Sequence, residues 1–282
     1  MIRLGTCSWK YDSWFNLVYT STNKNKYLFE YAKKFNTVEI DQWFWSLFPP
    51  DKIVLPQPSV VRSYTDAVPD DFKFTIKIPN SITLTHFYRK NKQENLIENP
   101  NFLSEDIMSR FLERLSPMIN KIGILMFQFE YLNKDKMVSL KHFLEKAGNF
   151  FNNLDNRFLY GVEIRNPNWL NDTYFNFLQT GGLSHVFLQG YFMPEIVPMI
   201  NRFGDNLRSP VIIRLHGPGR REIEEKSGGN WNRILEPKDD EISRITRVIR
   251  EMDDRKMEIY VNVNNHYEGS APLTIDKLRS QL

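Results

Sequence analysis

The chain has 282 residues, 41% hydrophobic and 25% charged, with 37 basic side chains against 34 acidic ones and a formal net charge of +3. That length fits two ordinary domains or one α/β barrel, and the near-balance of charge excludes a nucleic-acid binder that works by bulk charge without a local basic patch. A single cysteine, Cys7, excludes an internal disulfide and any multi-cysteine zinc motif. No run approaches the roughly 18 apolar residues of a membrane span. The first residues enter a strand pattern at once, with no charged leader, so the expectation is a soluble cytoplasmic protein without a membrane partner; oligomeric state is left open.

In chain order, strand patterns cover Ile2–Trp9, Thr37–Asp41, Phe72–Lys77, Ile122–Gln128, Leu159–Arg165, Leu183–Gln189, Val211–His216 and Glu258–Asn264. Helical patterns lie between them. Tyr27–Phe35 precedes the second strand and Ser59–Ala67 the third, after an irregular proline-rich stretch, Pro49–Pro58. His86–Phe102 is polar and rich in Asn and Lys, a long loop or lid above the third strand. Ser104–Ile119 opens on a Ser-Glu-Asp cap signal and carries Ile107, Phe111, Leu112 and Leu115 at helical spacing. Lys136–Phe151, Asp172–Gln179, Asp239–Met252 and Leu273–Leu282 supply the later helices, with Thr274 as a candidate cap for the last. Gly217–Trp231 is a second long excursion, with glycine pairs and charges.

Eight strands alternating with helices predict one α/β domain over residues 1–282, a single (β/α)8 TIM-like barrel with long loops after strands three and seven; a doubly wound open sheet is the competing architecture. Several strands turn polar at their C-terminal ends on one parity. Glu39 pairs with Asp41, Glu163 with Arg165, Arg214 with His216 and Asn262 with Asn264, each pair on one face of its strand. In a barrel the apolar parity packs on the helices, so the polar parity points inward at the face where barrel enzymes keep their active sites.

Four constellations follow. Glu163 and Arg165 suit substrate orientation, or form an interior ion pair. Arg214-Leu-His-Gly217, followed by Pro218, Gly219, Arg220 and Arg221, suits an anion held by backbone donors and arginines, or an ordinary turn with a solvated arginine pair. Asn264 suits a ligand contact, whereas Asn265 suits a left-handed turn. All six tryptophans follow strand ends: Trp9, Trp14, Trp43, Trp45, Trp169 and Trp231. Two or three could form a flat ligand wall while the rest pack loops. A mononuclear metal site could be drawn from His86, His216, His266, Glu39 and Glu163, but hydrogen-bonded pocket histidines are the simpler reading, so no residue is assigned as a metal ligand. His142 and His185 read as structural.

The motifs Gly5-Thr-Cys-Ser-Trp9, Phe35-Asn-Thr-Val-Glu39-Ile, Phe72-Lys-Phe-Thr-Ile-Lys77, Gly161-Val-Glu-Ile-Arg165 with Trp169, Arg214-Leu-His-Gly217, and Asn264-Asn265 with Gly269-Ser-Ala271 occur in this order. Together they resemble the YecE-like family, a domain-of-unknown-function group, DUF72, over nearly the whole chain. The resemblance implies a TIM-barrel-like fold with its functional face at these strand ends, an activity not settled for the family, and a relation to endonuclease IV-like and xylose isomerase-like barrels that rests on fold alone. The positions it marks are Glu39, Lys77, His86, Gln128, Glu163, Arg165, Arg214, His216 and Asn264. Trp43-Phe-Trp45 after Glu39 and Phe-Glu-Tyr after Gln128 depart from the family pattern.

The resulting expectation is an enzyme acting on an anionic phosphate- or sugar-containing small molecule or nucleotide by general acid/base chemistry. Glu39 or Glu163 would be the acid or base, with His216 as a proton partner titrating near neutral pH. Lys77, Arg165 and Arg214 would hold the anion, Gln128 and Asn264 would orient it, and Trp9 and His86 would complete the substrate site. No cofactor is required, and a divalent metal is left open. Two alternatives stay open: a metal-dependent hydrolase or nuclease, and a non-catalytic protein that binds a ligand or nucleic acid.

Overall fold

The computed structural model describes residues 1–89, 91, 93–217 and 219–282. Lys90, Lys92 and Pro218, the last in the glycine-flanked turn expected to bind an anion, lie outside the described residues. The strands are β1 (Ile2–Thr6), β2 (Thr37–Ile40), β3 (Leu47–Phe48), β4 (Lys52–Ile53), β5 (Lys73–Lys77), β6 (Ile122–Phe129), β7 (Tyr160–Ile164), β8 (Ser184–Gly190), β9 (Val211–Gly217) and β10 (Ile259–Val263). Eight of them close into a parallel barrel in the order β1-β10-β9-β8-β7-β6-β5-β2. The remaining two, β3 and β4, pair as a short antiparallel hairpin at the start of the stretch expected to be irregular. The chain is therefore a (β/α)8 barrel, and the open sheet is excluded by the pairing of β1 with both β10 and β2.

Each barrel strand has one apolar face because it must pack on helices. Val38, Ile40, Phe74, Ile76, Leu125, Phe127, Val162, Ile164, Ile213, Leu215, Val261 and Val263 all join the large core between sheet and helices. The opposite parity fills the barrel. Ile124, Met126, Val186, Ile212 and Tyr260 form a separate apolar plug inside it. Gly123 makes room for this plug, since a Cβ there would sit 2.6 Å from the Tyr260 hydroxyl oxygen. Towards the N-terminal floor the Tyr260 hydroxyl donates to Glu258 at 2.9 Å, and Arg3 Nε donates to the same carboxylate at 3.2 Å. The polar layer lies on the other side of the plug, at the strand C-termini.

The helices are α1 (Tyr27–Tyr31), α2 (Pro58–Asp66), α3 (Asn80–Thr83), α4 (Glu105–Arg114), α5 (Leu140–Asn152), α6 (Asp172–Thr180), α7 (Ile196–Phe203), α8 (Arg220–Ser227), α9 (Asp239–Asp254) and α10 (Ala271–Ser280). Ser104 caps α4 as expected, accepting from the Ile107 amide at 3.3 Å. The helix stops short of Ile119 because Pro117 has no amide to continue it, and Ser116–Lys121 runs on as a 3-10 turn. Thr274 does not cap α10. It lies within the helix and donates to Glu268 at 2.7 Å, while the Asn265 side chain accepts from the Ala271 amide at 2.9 Å. Neither α7 nor α8 was anticipated, and α8 occupies the middle of the excursion after β9. Among the described residues no helix is long and apolar enough to cross a membrane.

Candidate active site

Two steps of the inward parity rise above the apolar plug. The first brings Glu39, Thr75, Gln128, Glu163, Arg214 and Asn262 into one hydrogen-bonded ring, with Arg214 at its centre. Its guanidinium grips Glu39 through two bonds, from Nε at 2.8 Å and Nη2 at 2.7 Å. Nη1 donates to Gln128 Oε1 at 3.2 Å and makes a close bond to Glu163 Oε2. Asn262 Nδ2 donates to Thr75 at 2.9 Å and to Glu39 at 3.3 Å. Glu39, Glu163, Arg214 and Asn262 are all buried, so each charge depends on its partners.

The second step holds Cys7, Asp41, Lys77, Arg165 and His216 at the mouth. Arg165 donates from Nε to the other Glu163 oxygen at 3.0 Å, and its guanidinium lies over the Tyr191 ring at 5.2 Å. Its side chain is 27% exposed. Lys77 is 9% exposed; its ammonium sits 4.1 Å from the Phe44 ring centroid. Among the described residues neither Lys77 Nζ nor the Arg165 terminal nitrogens make a hydrogen bond, and Lys77 has no carboxylate within 4.0 Å. His216 stands between the Cys7 thiol at 3.5 Å and the Tyr191 hydroxyl at 3.3 Å. Tyr191 reaches it from a left-handed backbone, φ 51°, just after Gly190.

This surrounding sets the protonation states. Burial alone would raise the Glu163 carboxyl, but Arg214, Arg165 and Lys77 outweigh it and hold the group down at about 2. Burial pushes Lys77 down to about 8, with Arg214 adding to the fall and Glu39, Glu163 and Asp41 opposing it. Asp41 is raised by burial and by Glu39. His216 falls well below the usual imidazole range, through burial first and then the positive charge of Arg214, Arg165 and Lys77. The expectation that His216 titrates near neutral pH is therefore corrected: burial first, and then the cations gathered around the carboxylates, favour the neutral imidazole. Cys7 is raised by burial and by Glu39, so the Cys7–His216 contact joins a thiol to a neutral ring.

Of the ten residues singled out in the sequence, Glu39, Lys77, Gln128, Glu163, Arg165, Arg214 and His216 converge here. Three do not join the network. Asn264 accepts from the His266 amide at 2.9 Å and shapes the turn after β10. His86 bonds Thr85 at 3.0 Å and pairs across a bridge with Glu98 in the loop after β5. Trp9 lies against Tyr64, ring edge to face at 4.9 Å, and lines a flanking cleft of about 820 Å³ with Tyr11, Asp12, Tyr27 and Asn230. Trp14, Trp43, Trp169 and Trp231 are also buried and pack loops, leaving Trp45 exposed. The sequence reading did not assign Thr75, Asn262, Asp41 or Tyr191 to the site. The inward parity of Asn262 and Asp41 was the signal available for two of them; nothing local marks Tyr191.

The anion expected after β9 finds different surroundings. Every Arg214 nitrogen that donates does so to Glu39, Glu163 or Gln128, while Arg220 and Arg221 pair along α8 with Glu224 at 2.7 Å and Glu225 at 2.8 Å. Gly217 serves close packing instead, because at φ 76° a Cβ would meet the His266 carbonyl at 2.4 Å. Among the described residues no group of three or more His, Cys, Asp or Glu side chains is placed to hold a metal ion. Glu39 and Glu163, the carboxylates named for such a site, already have both oxygens on guanidinium groups.

The family model described as "Protein of unknown function DUF72" matches residues 3–282, and the chain belongs to that family. Over 168 residues it is 30% identical to the UPF0759 protein YecE of Escherichia coli, a match covering 59% of this chain and 49% of that protein. The chain thus spans about half the length of the curated relatives it matches. Among solved structures, a DUF72 family protein from Enterococcus faecalis superposes with a TM-score of 0.68 at 20% identity, covering 100% of this chain and 95% of that one. Another, from Thermotoga maritima, gives 0.64 at 21%, covering 99% and 97%. A psychrophilic family 10 endo-β-1,4-xylanase gives 0.52 at 10%, covering 93% and 86%. At these identities the structural likenesses establish the fold alone.

Proposed function

We propose that this DUF72 protein is an enzyme acting on a small anionic molecule, one bearing a phosphate or carboxylate, at the C-terminal mouth of the barrel. The observation that carries this reading is a pair of cations, Lys77 and Arg165, whose ammonium and terminal guanidinium N–H groups make no hydrogen bond among the described residues. A buried ammonium without a hydrogen bond is costly unless something comes to meet it. Glu39 and Glu163 are fully engaged by Arg214, so their role in the proposal is to fix the guanidinium and stay ionised. Proton transfer passes to the two groups whose affinities move towards neutrality, Lys77 from above and Asp41 from below. Gln128 and Tyr191, beside Arg214 and Arg165, orient the ligand.

The test is a turnover screen over phosphate esters, sugar acids and other small carboxylates, with neutral analogues of the same size as controls. Arg165→Met should lower kcat/KM by about 10²–10³ by removing a charge-assisted contact that fixes the anion. Activity on neutral analogues only, or an Arg165→Met enzyme with unchanged kcat/KM, would contradict the proposal.

A second, non-catalytic reading has one observation in its favour. Trp45, 60% exposed, and Tyr88, 51% exposed, lie with ring centroids 6.0 Å apart at the ends of loops above the mouth. Such rings stack on bases. This reading expects binding of a single-stranded oligonucleotide that weakens steeply with salt and is lost in Trp45→Ala.

A further inference from the structure

Lys77 combines features that binding an anion does not by itself require. It ends β5 on the inward parity, one residue past the Ile40–Ile76 pair, and the Asp41 carboxylate is close enough to raise its proton affinity. Its amine rests on Phe44 at 4.1 Å, with no described hydrogen-bond acceptor. Arg214 keeps positive charge nearby and is held in place by its own carboxylates. A lysine desolvated beside another cation is the arrangement that yields a nucleophilic amine. The 9% of Lys77 still exposed, with Asp41, Gln128 and Arg165 half-buried, is the opening through which a small molecule would reach it.

We propose that Lys77 forms an imine with a carbonyl carbon of the substrate, so that the anion bound here is an aldehyde or keto acid. This rests on the anion-site reading above and adds the reacting group to it. The neutral Nζ attacks the carbonyl carbon, and the proton that the nitrogen gives up passes to the carbonyl oxygen to give a carbinolamine. Asp41, in its acid form, protonates the hydroxyl, which leaves as water as the C=N bond forms. Asp41 then recovers a proton from nitrogen, so amine plus carbonyl becomes imine plus water with no other reactant. Before that proton is recovered, the protonated C=N group withdraws electrons from the neighbouring carbon and permits a proton to leave it, or a carboxylate to leave as CO2. Arg165 holds the anionic end. The lowered proton affinity of Lys77, at about 8, leaves on the order of a hundredfold more free amine at neutral pH than an ordinary surface lysine near 10.4 has.

The experiment is reductive trapping on the intact chain with glyoxylate and cyanoborohydride near neutral pH, read by peptide mass mapping. The expected result is a carboxymethyl adduct at Lys77 with at least tenfold higher occupancy than at any surface lysine. Propionaldehyde, which lacks the anion, should show a smaller preference, and Arg165→Met should reduce the preference for glyoxylate. Lys77→Met, which keeps much of the volume against Phe44, serves as the site control, with circular dichroism to establish that it folds. Adducts spread over surface lysines with Lys77 unmodified would overturn the imine. Sulfate binding, measured on the same samples by calorimetry, separates the two ideas: if it persists without trapping, the imine fails and the anion site stands; if both are absent, both fail.

Discussion

At the scale of single residues, the behaviour of the site follows from one guanidinium. Arg214 neutralises two buried carboxylates at once, and its planar fork matches Glu39 in a way an ammonium cannot. Arg214→Met should therefore cost about 3–5 kcal/mol, the range for breaking a buried pair from one side, and Arg214→Lys should recover only part of it; denaturant titration reads both. Two pH dependences follow from the neighbours. The folded Glu163 carboxyl lies at about 2 against an ordinary 4.5, so the unfolded chain binds the extra proton between those values. The stabilisation is complete above about pH 5 and is lost as pH falls towards 2; Glu163→Gln should flatten that part of the curve. Lys77 works at the other end. Its folded affinity lies at about 8 against an ordinary 10.5, so the unfolded chain again holds more protons, and wild type should gain stability relative to Lys77→Met as pH rises from about 8 to 10.5.

At the scale of elements, the strands were the most legible part, because inward and outward faces carry different chemistry. Glu163 and Arg165 on one parity with Val162 and Ile164 on the other admit few structures besides a barrel strand. Helix α4 was legible at its start, where Ser104 announces a cap, and not at its end, where Pro117 divides an apolar pattern that continues to Ile119. The excursion after β9 was less legible. Its glycines suited either an anion held by backbone donors or an ordinary turn, whereas Gly217 is required by the approach of the His266 backbone and α8 begins at Arg220. Gly217→Ala should therefore destabilise by more than about 1 kcal/mol, since both its φ and its space are incompatible with a side chain. Ser104→Ala should cost about 1 kcal/mol. Thermal melts of the two variants would rank them in that order.

At the scale of the whole molecule, barrel closure turns eight separate strand ends into one site. Glu39 and Arg214 are 175 positions apart in the chain and share two hydrogen bonds. Parity placed both on the inner face, but nothing in the sequence specified that the arginine would be consumed by carboxylates while Lys77 would have no hydrogen-bond acceptor among the described residues. That division depends on side-chain length across the barrel, which periodicity does not encode. On the proposed reading, it also puts the anion at the opening between β5 and β7 and not in the loop after β9. The measurement closest to this claim is a calorimetric titration with sulfate, whose charge is constant over the range, at about pH 7 and about pH 9.5, either side of the Lys77 transition. The account predicts that wild-type affinity falls about tenfold at the higher pH as one charge-assisted contact is lost, and that Lys77→Met binds weakly at both. Equal affinity at the two pH values, or full affinity in Lys77→Met, would contradict it.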